Sequence, residues 1–368
     1  MNISKIILMS LTLALAPLAR GQIVESLYSF HMREGNSPKG SLVQGSDGCF
    51  YGTTDQGGTH VDYPGHILYG TVFKISTNGT LTTLVVFNGS NGEEPNGELL
   101  VGKDGNIYGT TAWGGKYHNG TIFKITPKGH FTTLASFYSL RGGNWEKGVL
   151  AEGKKGEFYG TAHNGGDFNF GTVFRMKKNG LLETLVSFNE TNGSYPSSGL
   201  VEGKDGCFYG TTEQGGQYGL GTVFKITEQG SLTTLASFDN VNGAYPRGKL
   251  LLANDGWFYG TSQYFGAFKV STNGILALLG FINGEPSSLI ETTPGNFFGT
   301  TRVNGDYGSG TVFKVTADGS LEALISFNVV NGAYPQAGLI LGTDGNFYGT
   351  TYRGGSDGGG TVFRVIPR

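Results

Sequence analysis

The sequence has little of what marks several large classes of protein. Of its 368 residues only 15% are charged, and 26 basic side chains face 28 acidic ones. Such a balance indicates no basic surface for a nucleic-acid backbone or an anionic membrane. Beyond the first twenty residues, no apolar run approaches the roughly 20 residues that span a bilayer. We therefore expect no nucleic-acid partner and no transmembrane segment in the mature chain.

Glycine is abundant instead, with 65 residues, about 18% against the roughly 7% of an average protein. The composition is also 38% apolar and 12% aromatic, enough for a sizeable core. The glycines follow no strict triplet, which excludes a collagen-like fibre, and the apolar content excludes a disordered chain. The sequence predicts a globular protein of short elements joined by tight turns.

Residues 1–21 have the layout of a cleavable signal peptide. Lys5 precedes an apolar run from Ile6 to Leu15, and Pro17 and a small-residue Ala-x-Gly pattern ending at Gly21 follow. We expect an exported protein, periplasmic or extracellular, that begins at Gln22.

An aromatic-Gly-Thr signature recurs seven times with a period near 50 residues. Its first residues are Tyr51, Tyr108, Tyr159, Tyr209, Tyr259, Phe298 and Tyr348. Each repeat supplies four short runs of β-forming residues, which we call a, b, c and d. In the fourth repeat they cover about 199–203, 208–212, 221–227 and 232–238. Asp-Gly and Asn-Gly pairs join a to b and c to d, as in antiparallel hairpins.

The last repeat ends after strand c, whereas residues 24–30 resemble strand d. A ring gains from this offset, because the N-terminal strand then completes the final repeat and hides its edge. The sequence predicts an all-β fold, a seven-bladed β-propeller of four-stranded antiparallel blades. Residues 22–368 would form one domain, with blade 7 composed of 22–30 and 337–368.

One leucine recurs in strand a of every repeat and is expected to be fully buried between blades. These are Leu42, Leu99, Leu150, Leu200, Leu250, Leu289 and Leu339. Cys49 and Cys207 occupy one repeat position three blades apart, far beyond the roughly 7 Å between Cα atoms that a disulfide allows, so we expect two free thiols.

The string YGTTEQGGQYGLGTVFKIT at 209–227, which recurs with variations, resembles the GloVer tandem repeat of exported bacterial choice-of-anchor proteins. The resemblance covers nearly all of the mature chain and implies no defined reaction. Repeat 5 lacks the Gly pair, and repeat 6 has Asn304-Gly305 in its place, so we expect altered rims on both blades.

Residues found in most repeats are interpreted as building the blade, and residues found in one repeat as free for another role. Ring geometry places the d–a and b–c loops on one face, where the unrepeated residues cluster. Exposed aromatic side chains beside polar groups suit a glycan or a protein epitope; the alternative is that they pack within their loops. The candidate ligand-binding residues are Trp113, His118, Trp145, His163, Tyr218 and Arg353, with Phe168 beside them.

Two sets of residues raise the question of a metal. His60, Asp62 and His66 lie in an enlarged b–c loop, but their spacing matches no standard site and favours a solvated loop. Glu152, Glu202 and Glu291 share one position near the end of strand a, where they either converge near the axis or pair locally. We expect no metal and no cofactor.

No catalytic motif is present, and no catalytic residue is assigned. The sequence favours a non-enzymatic binding protein whose loop face takes a glycan or a cell-surface protein. The alternatives are a hydrolase or lyase for extracellular polysaccharide with an axial site, and a structural module of the cell envelope.

The signal peptide gives the first testable prediction. Mass spectrometry of the protein exported by its host should find Gln22 at the N-terminus, because the small residues before it fit a signal-peptidase site. Exported protein that retains Met1 would contradict it.

Overall fold

The computed structural model describes residues 22–58, 69–138 and 148–367. Over these residues the chain forms seven four-stranded antiparallel sheets in a ring, a seven-bladed β-propeller without helices. None of the described residues belongs to a helix long and apolar enough to cross a membrane. The predicted signal peptide, Trp145, and the loop residues His60, Asp62 and His66 lie outside the described residues.

Each blade runs from strand a, nearest the axis, to strand d, at the outside. The a strands are β2 (Val43–Gln44), β6 (Leu100–Val101), β10 (Ala151–Glu152), β14 (Val201–Glu202), β18 (Leu251–Leu252), β22 (Ile290–Thr293) and β26 (Ile340–Leu341). The b strands are β3 (Phe50–Thr54), β7 (Ile107–Thr111), β11 (Phe158–Ala162), β15 (Phe208–Thr212), β19 (Phe258–Ser262), β23 (Asn296–Thr301) and β27 (Phe347–Thr351). The c strands are β4 (Thr71–Ile75), β8 (Thr121–Ile125), β12 (Thr172–Met176), β16 (Thr222–Ile226), β20 (Gly266–Val270), β24 (Thr311–Thr316) and β28 (Thr361–Ile366). The d strands are β1 (Ile23–Ser29), β5 (Leu81–Val86), β9 (Phe131–Ser136), β13 (Leu182–Ser187), β17 (Leu232–Ser237), β21 (Leu276–Gly280) and β25 (Leu321–Ser326).

The N-terminal strand closes the ring, as predicted. Strand β1 pairs antiparallel with β28, from Ile23 opposite Ile366 to Ser29 opposite Thr361. Across this pair Arg364 bonds to the carboxylate of Glu25. The strand missing from the last repeat is therefore supplied by residues 23–29.

The Tyr-Gly-Thr signature builds the blade, and each of its residues has a separate task. In blade 4 the hydroxyl of Tyr209 donates to Asp205 at 2.8 Å. A Cβ atom on Gly210 would lie 2.6 Å from the ring of Phe224, so only glycine fits. The threonine links blades: Thr161, for example, donates to the carbonyl oxygen of Ser198 in the next blade at 2.8 Å.

The signature aromatic ring also stacks on the first aromatic residue of strand b in the next blade. Six of the seven seams have such a stack, with ring centroids 4.1–4.8 Å apart: Tyr108 on Phe158, Tyr159 on Phe208, Tyr209 on Phe258, Tyr259 on Phe297, Phe298 on Phe347 and Tyr348 on Phe50. At the seventh seam Tyr51 packs in one cluster with Ile107. The core is thus a circle of clusters, each shared by two blades.

The recurring strand-a leucines lie in these seams and are 1–4% exposed, which confirms the prediction. Leu200, for example, packs with Tyr159 of the preceding blade and with Phe208 and Phe224 of its own. The two cysteines are free and half-buried, as predicted. Strand a is shorter than expected, since in blade 4 only Val201–Glu202 pairs with strand b.

Truncation of a seam leucine gives the second prediction. Leu200→Ala should lower the free energy of unfolding by about 2–5 kcal/mol, because it leaves a cavity that two rigid blades cannot fill. The matched control is Leu181→Ala, whose side chain is 51% exposed and which should change stability by about 0.5 kcal/mol or less. Urea denaturation measures both; equal losses would show that the seams do not carry the core.

The third prediction concerns pH. Burial opposes ionisation of Asp205, but hydrogen bonds from Lys225, the Cys207 amide and Tyr209 outweigh it and lower the pKa of this carboxyl to about 2. A carboxylate with a depressed pKa stabilises the fold above its ordinary titration range, and this contribution is lost as the pH falls towards 2. The stability advantage of wild type over Asp205→Asn should therefore shrink between about pH 4 and pH 2. Tyr209→Phe should lose less of the stability that Asp205 contributes than Asp205→Asn does, because the hydrogen bonds from Lys225 and the Cys207 amide remain.

Candidate functional site

The d–a and b–c loops share one face of the ring, here called the loop face. At its centre lies a cavity of about 320 Å³, lined by the d–a loops just before strand a. Every blade contributes to its wall: Lys39, Glu98, Val149, Ser197, Lys249, Ser287 and Gln336 come from blades 1 to 7 in turn. The axis of the propeller thus ends in a polar cavity at the loop face.

Two repeat positions on the loop face vary between blades: the first has five residue types and lines the cavity in every blade, and the second has seven types, of which Gln263 and Arg302 line it. The first is the residue directly before the strand-a leucine: Ser41, Glu98, Val149, Gly199, Lys249, Ser288 and Gly338. The second is four residues after the signature aromatic: Asp55, Ala112, His163, Glu213, Gln263, Arg302 and Tyr352. The seam residues repeat while these do not, which is the pattern expected of a binding site on a repetitive scaffold.

Four ion pairs surround the cavity, each with a cation that lines it. They are Lys39 with Asp55 at 2.8 Å, Arg247 with Glu213 at 2.6 Å, Arg302 with Glu285 at 3.0 Å and Lys249 with Glu98 at 3.8 Å. The last pair joins blades 5 and 2 across the mouth. Glu98 also accepts a hydrogen bond from Ser41 of blade 1 at 2.8 Å. The mouth is therefore a network of fixed polar groups.

An arc of exposed aromatic side chains lies on the loop face towards the outer strands, because the residue before each of them donates its backbone amide to the serine that ends strand d. Tyr117, Phe168, Tyr218 and Tyr307 occupy the same b–c loop position in blades 2, 3, 4 and 6 and are 44–64% exposed. Sequence analysis treated Tyr218 and Phe168 as unrepeated, whereas they belong to this recurring set. They do not belong to the core clusters, so repetition here does not mean burial.

Blade 5 has a shortened b–c loop on the loop face. Its strands b and c are joined by three residues, 263–265, in place of the longer loop of other blades, which confirms the expected altered rim. Phe281 stands where blade 4 has Ser237, whose hydroxyl holds the b–c loop, and both Phe281 and Tyr264 are more than half exposed. The expected alteration of the blade 6 rim is not found. Asn304 adopts a positive φ of 75° there, which asparagine tolerates, and keeps the loop shape.

The predicted site residues that the structure describes lie in the b–c loops of the loop face, outside the lining of the cavity. Trp113 and Arg353 occupy equivalent b–c positions and pair through their backbones with the d–a loop. His163 stacks on Tyr195 at 5.2 Å between ring centroids, so it packs within the loops. None of the predicted residues that are described lines the axial cavity.

His118 lies beside a carboxyl group at the rim of blade 2. Burial raises the pKa of Glu93 above its usual range, and the nearby His118 opposes that shift. His118 itself has a left-handed backbone, with φ of 59°. This is an acid–base neighbour pair away from the axis.

The recurring glutamates form local bonds instead of an axial ring. Glu152 accepts the amide of Lys103 at 2.7 Å, and Glu291 accepts that of Asn254 at 2.8 Å, each from the preceding blade. Glu202 pairs with Lys154 at 3.9 Å. Among the described residues no group of three His, Cys, Asp or Glu side chains could hold a metal ion.

Sequence analysis missed the charged residues that line the cavity, which are Lys39, Glu98, Arg247, Lys249, Glu285 and Arg302. The signal that could have found them is their variation at fixed offsets from the strand-a leucine and the signature aromatic.

The sequence model of the Gloeobacter/Verrucomicrobia repeat matches residues 15–201, 146–277 and 274–368, nearly the whole chain. The chain belongs to the Gloeobacter/Verrucomicrobia repeat family. This confirms the resemblance to the GloVer repeat. A comparison with curated protein sequences gave no match.

Solved structures similar to this Gloeobacter/Verrucomicrobia repeat protein share its fold at low identity. The extracellular domain of a "putative hybrid two component system" from B. thetaiotaomicron is 11% identical, with a TM-score of 0.62; the match covers 93% of this chain and 39% of that one. A puromycin hydrolase is 12% identical, with a TM-score of 0.55 and coverage of 88% and 52%. A "putative 6-phosphogluconolactonase" from Bacteroides uniformis is 16% identical, with a TM-score of 0.52 and coverage of 79% and 86%.

Proposed function

We propose that the loop face binds a carbohydrate chain, with one end of the ligand in the axial cavity and more distant sugar residues on the exposed aromatic side chains near the outer strands. The observation that carries this proposal is the arc of Tyr117, Phe168, Tyr218 and Tyr307, exposed at one loop position on the face that also holds the polar axial cavity. Single exposed apolar side chains are common on protein surfaces, but four aromatic ones at one repeat position form a recurring feature of the kind that marks an interaction site.

The chemistry of the face suits a sugar better than an apolar ligand. Aromatic rings offer flat surfaces to the apolar C–H faces of a pyranose, and their two side-chain torsions cost little entropy on binding. Sugar hydroxyls need fixed donors and acceptors, which the mouth supplies as serines such as Ser197 and Ser287 and as ion-paired side chains. The shortened b–c loop of blade 5 leaves room for the rest of a longer carbohydrate chain.

The proposal includes export. The predicted signal peptide supports it, as does the extracellular location named for the B. thetaiotaomicron domain with the same fold. A carbohydrate ligand is abundant in that compartment, as polysaccharide of the envelope or its surroundings.

The hydrolase alternative needs an acid and a base that can exchange protons with the ligand. Each of the four carboxylates paired around the mouth bonds to a cation, an arrangement that favours holding a ligand over proton transfer. Glu93 with His118 is the neighbour pair on which catalysis would rest. The binding experiment described below therefore includes a measurement of reducing ends released from the carbohydrate.

The fourth prediction tests the aromatic arc. A glycan array identifies a ligand, and titration calorimetry then compares wild type with Tyr218→Ala and Tyr307→Ala. Each variant should weaken binding by about 1 kcal/mol, roughly fivefold in Kd, because a stacking surface is lost. Leu181→Ala, exposed in a c–d turn on the opposite face, should leave Kd unchanged.

Two results would contradict the proposal. One is an array without any carbohydrate bound at micromolar protein concentration. The other is equal weakening by Leu181→Ala, which would place the ligand elsewhere. Release of reducing ends that stops in Glu93→Gln would replace binding by hydrolysis as the function.

A further inference from the structure

The four cations around the axial cavity are each more exposed than the carboxylate they pair with. The side chain of Lys39 is 29% exposed and that of Asp55 is 4% exposed. For Arg247 and Glu213 the values are 41% and 13%. The other two pairs have the same order. Asp55 and Glu213 do not line the cavity, whereas Glu98 and Glu285 do, so four cations and two carboxylates face a ligand that enters it.

Two of these cations come from one loop and have donors to spare. Arg247 and Lys249 lie two residues apart in the d–a loop of blade 5, and both line the cavity. Nε and Nη2 of Arg247 both donate to one oxygen, Oε1 of Glu213. Nη1 of the guanidinium has no hydrogen-bond partner among the described residues. The Lys249 ammonium lies 3.8 Å from Glu98, a long contact that a stronger acceptor can replace.

Anionic oxygens are the acceptors that match such donors. A planar carboxylate accepts two parallel bonds from a guanidinium, and charge-assisted bonds are roughly twice as strong as neutral ones. The four paired carboxylates balance the four cations and reduce the repulsion between them, and only Glu98 and Glu285 among those carboxylates line the cavity. Neutral sugar hydroxyls would use these donors less well.

We propose that the axial cavity binds the anionic group of an acidic saccharide, a uronate carboxylate or a sulfate ester, with Arg247 and Lys249 as its ligands. The inference rests on the proposed carbohydrate function and names the class of carbohydrate. The cavity of about 320 Å³ is at the small end of ligand sites, so it takes the end of a chain rather than its middle.

Matched ligands test the charge directly. Titration calorimetry compares oligogalacturonate with the same oligomer after methyl esterification, which keeps the backbone and removes the charge, and a sulfated oligosaccharide forms a third arm. The acidic oligomer should bind at least about tenfold more tightly than its ester, and added salt should reduce the difference. Binding of the sulfated ligand alone would identify sulfate as the anion.

Variants then locate the site. Arg247→Gln with Lys249→Gln should weaken binding of the acidic oligomer at least about tenfold and leave the ester unchanged. Lys154→Gln with Lys155→Gln removes the same charge from an a–b turn on the opposite face and should have no effect. Lys249→Gln alone covers the case in which loss of Arg247 destabilises the fold, because Ser41 still holds Glu98.

Each outcome separates this inference from the proposed function. If the ester and the acid bind equally, or if the control pair weakens binding as much as the cavity pair, the inference is overturned and carbohydrate binding stands. If no saccharide binds in any arm, both fail.

Discussion

The contact between neighbouring blades is the interaction on which the rest of the structure depends. A four-stranded blade is too thin to enclose a core, so each hydrophobic cluster takes its side chains from two blades. The signature tyrosine stacks on the next blade and the signature threonine bonds to it, while glycine between them makes room for a phenylalanine of strand c. Such an arrangement is complete only when the last blade meets the first, which β1 ensures.

This constraint also explains where function can lie. Residues at the seams cannot change without a cost to two blades, and they repeat accordingly. The positions that face the axis at the loop face and the tips of the loops lie outside the hydrophobic clusters of the seams, so they are freer to differ. Seven different neighbours can thus be placed around one cavity, as Lys249 of blade 5 and Glu98 of blade 2 show.

The fold could be predicted from the sequence because each blade corresponds to one sequence repeat. The displaced d strand predicted the closure, and the strand-a leucines predicted the seams. The charged mouth was missed because its residues have no shared chemistry; only their equivalent offsets reveal it, and the direction of each side chain depends on the ring. His163 appeared free in the sequence but packs on Tyr195, since the partner ring comes from another blade. The glutamates of strand a bond across the seams instead of converging, because backbone amides of the preceding blade lie within their reach.

The central claim is that ligand binding occurs at the axial mouth of the loop face. Amide hydrogen exchange with and without saturating oligogalacturonate tests it most directly, because it reports every loop at once. Binding at the axial mouth should slow amide exchange in the d–a loops at 37–41, 96–98, 246–249 and 285–288. It should leave exchange in the a–b turns at 45–48 and 203–206 unchanged. Slowing confined to those turns, or to the outer d strands, would contradict it.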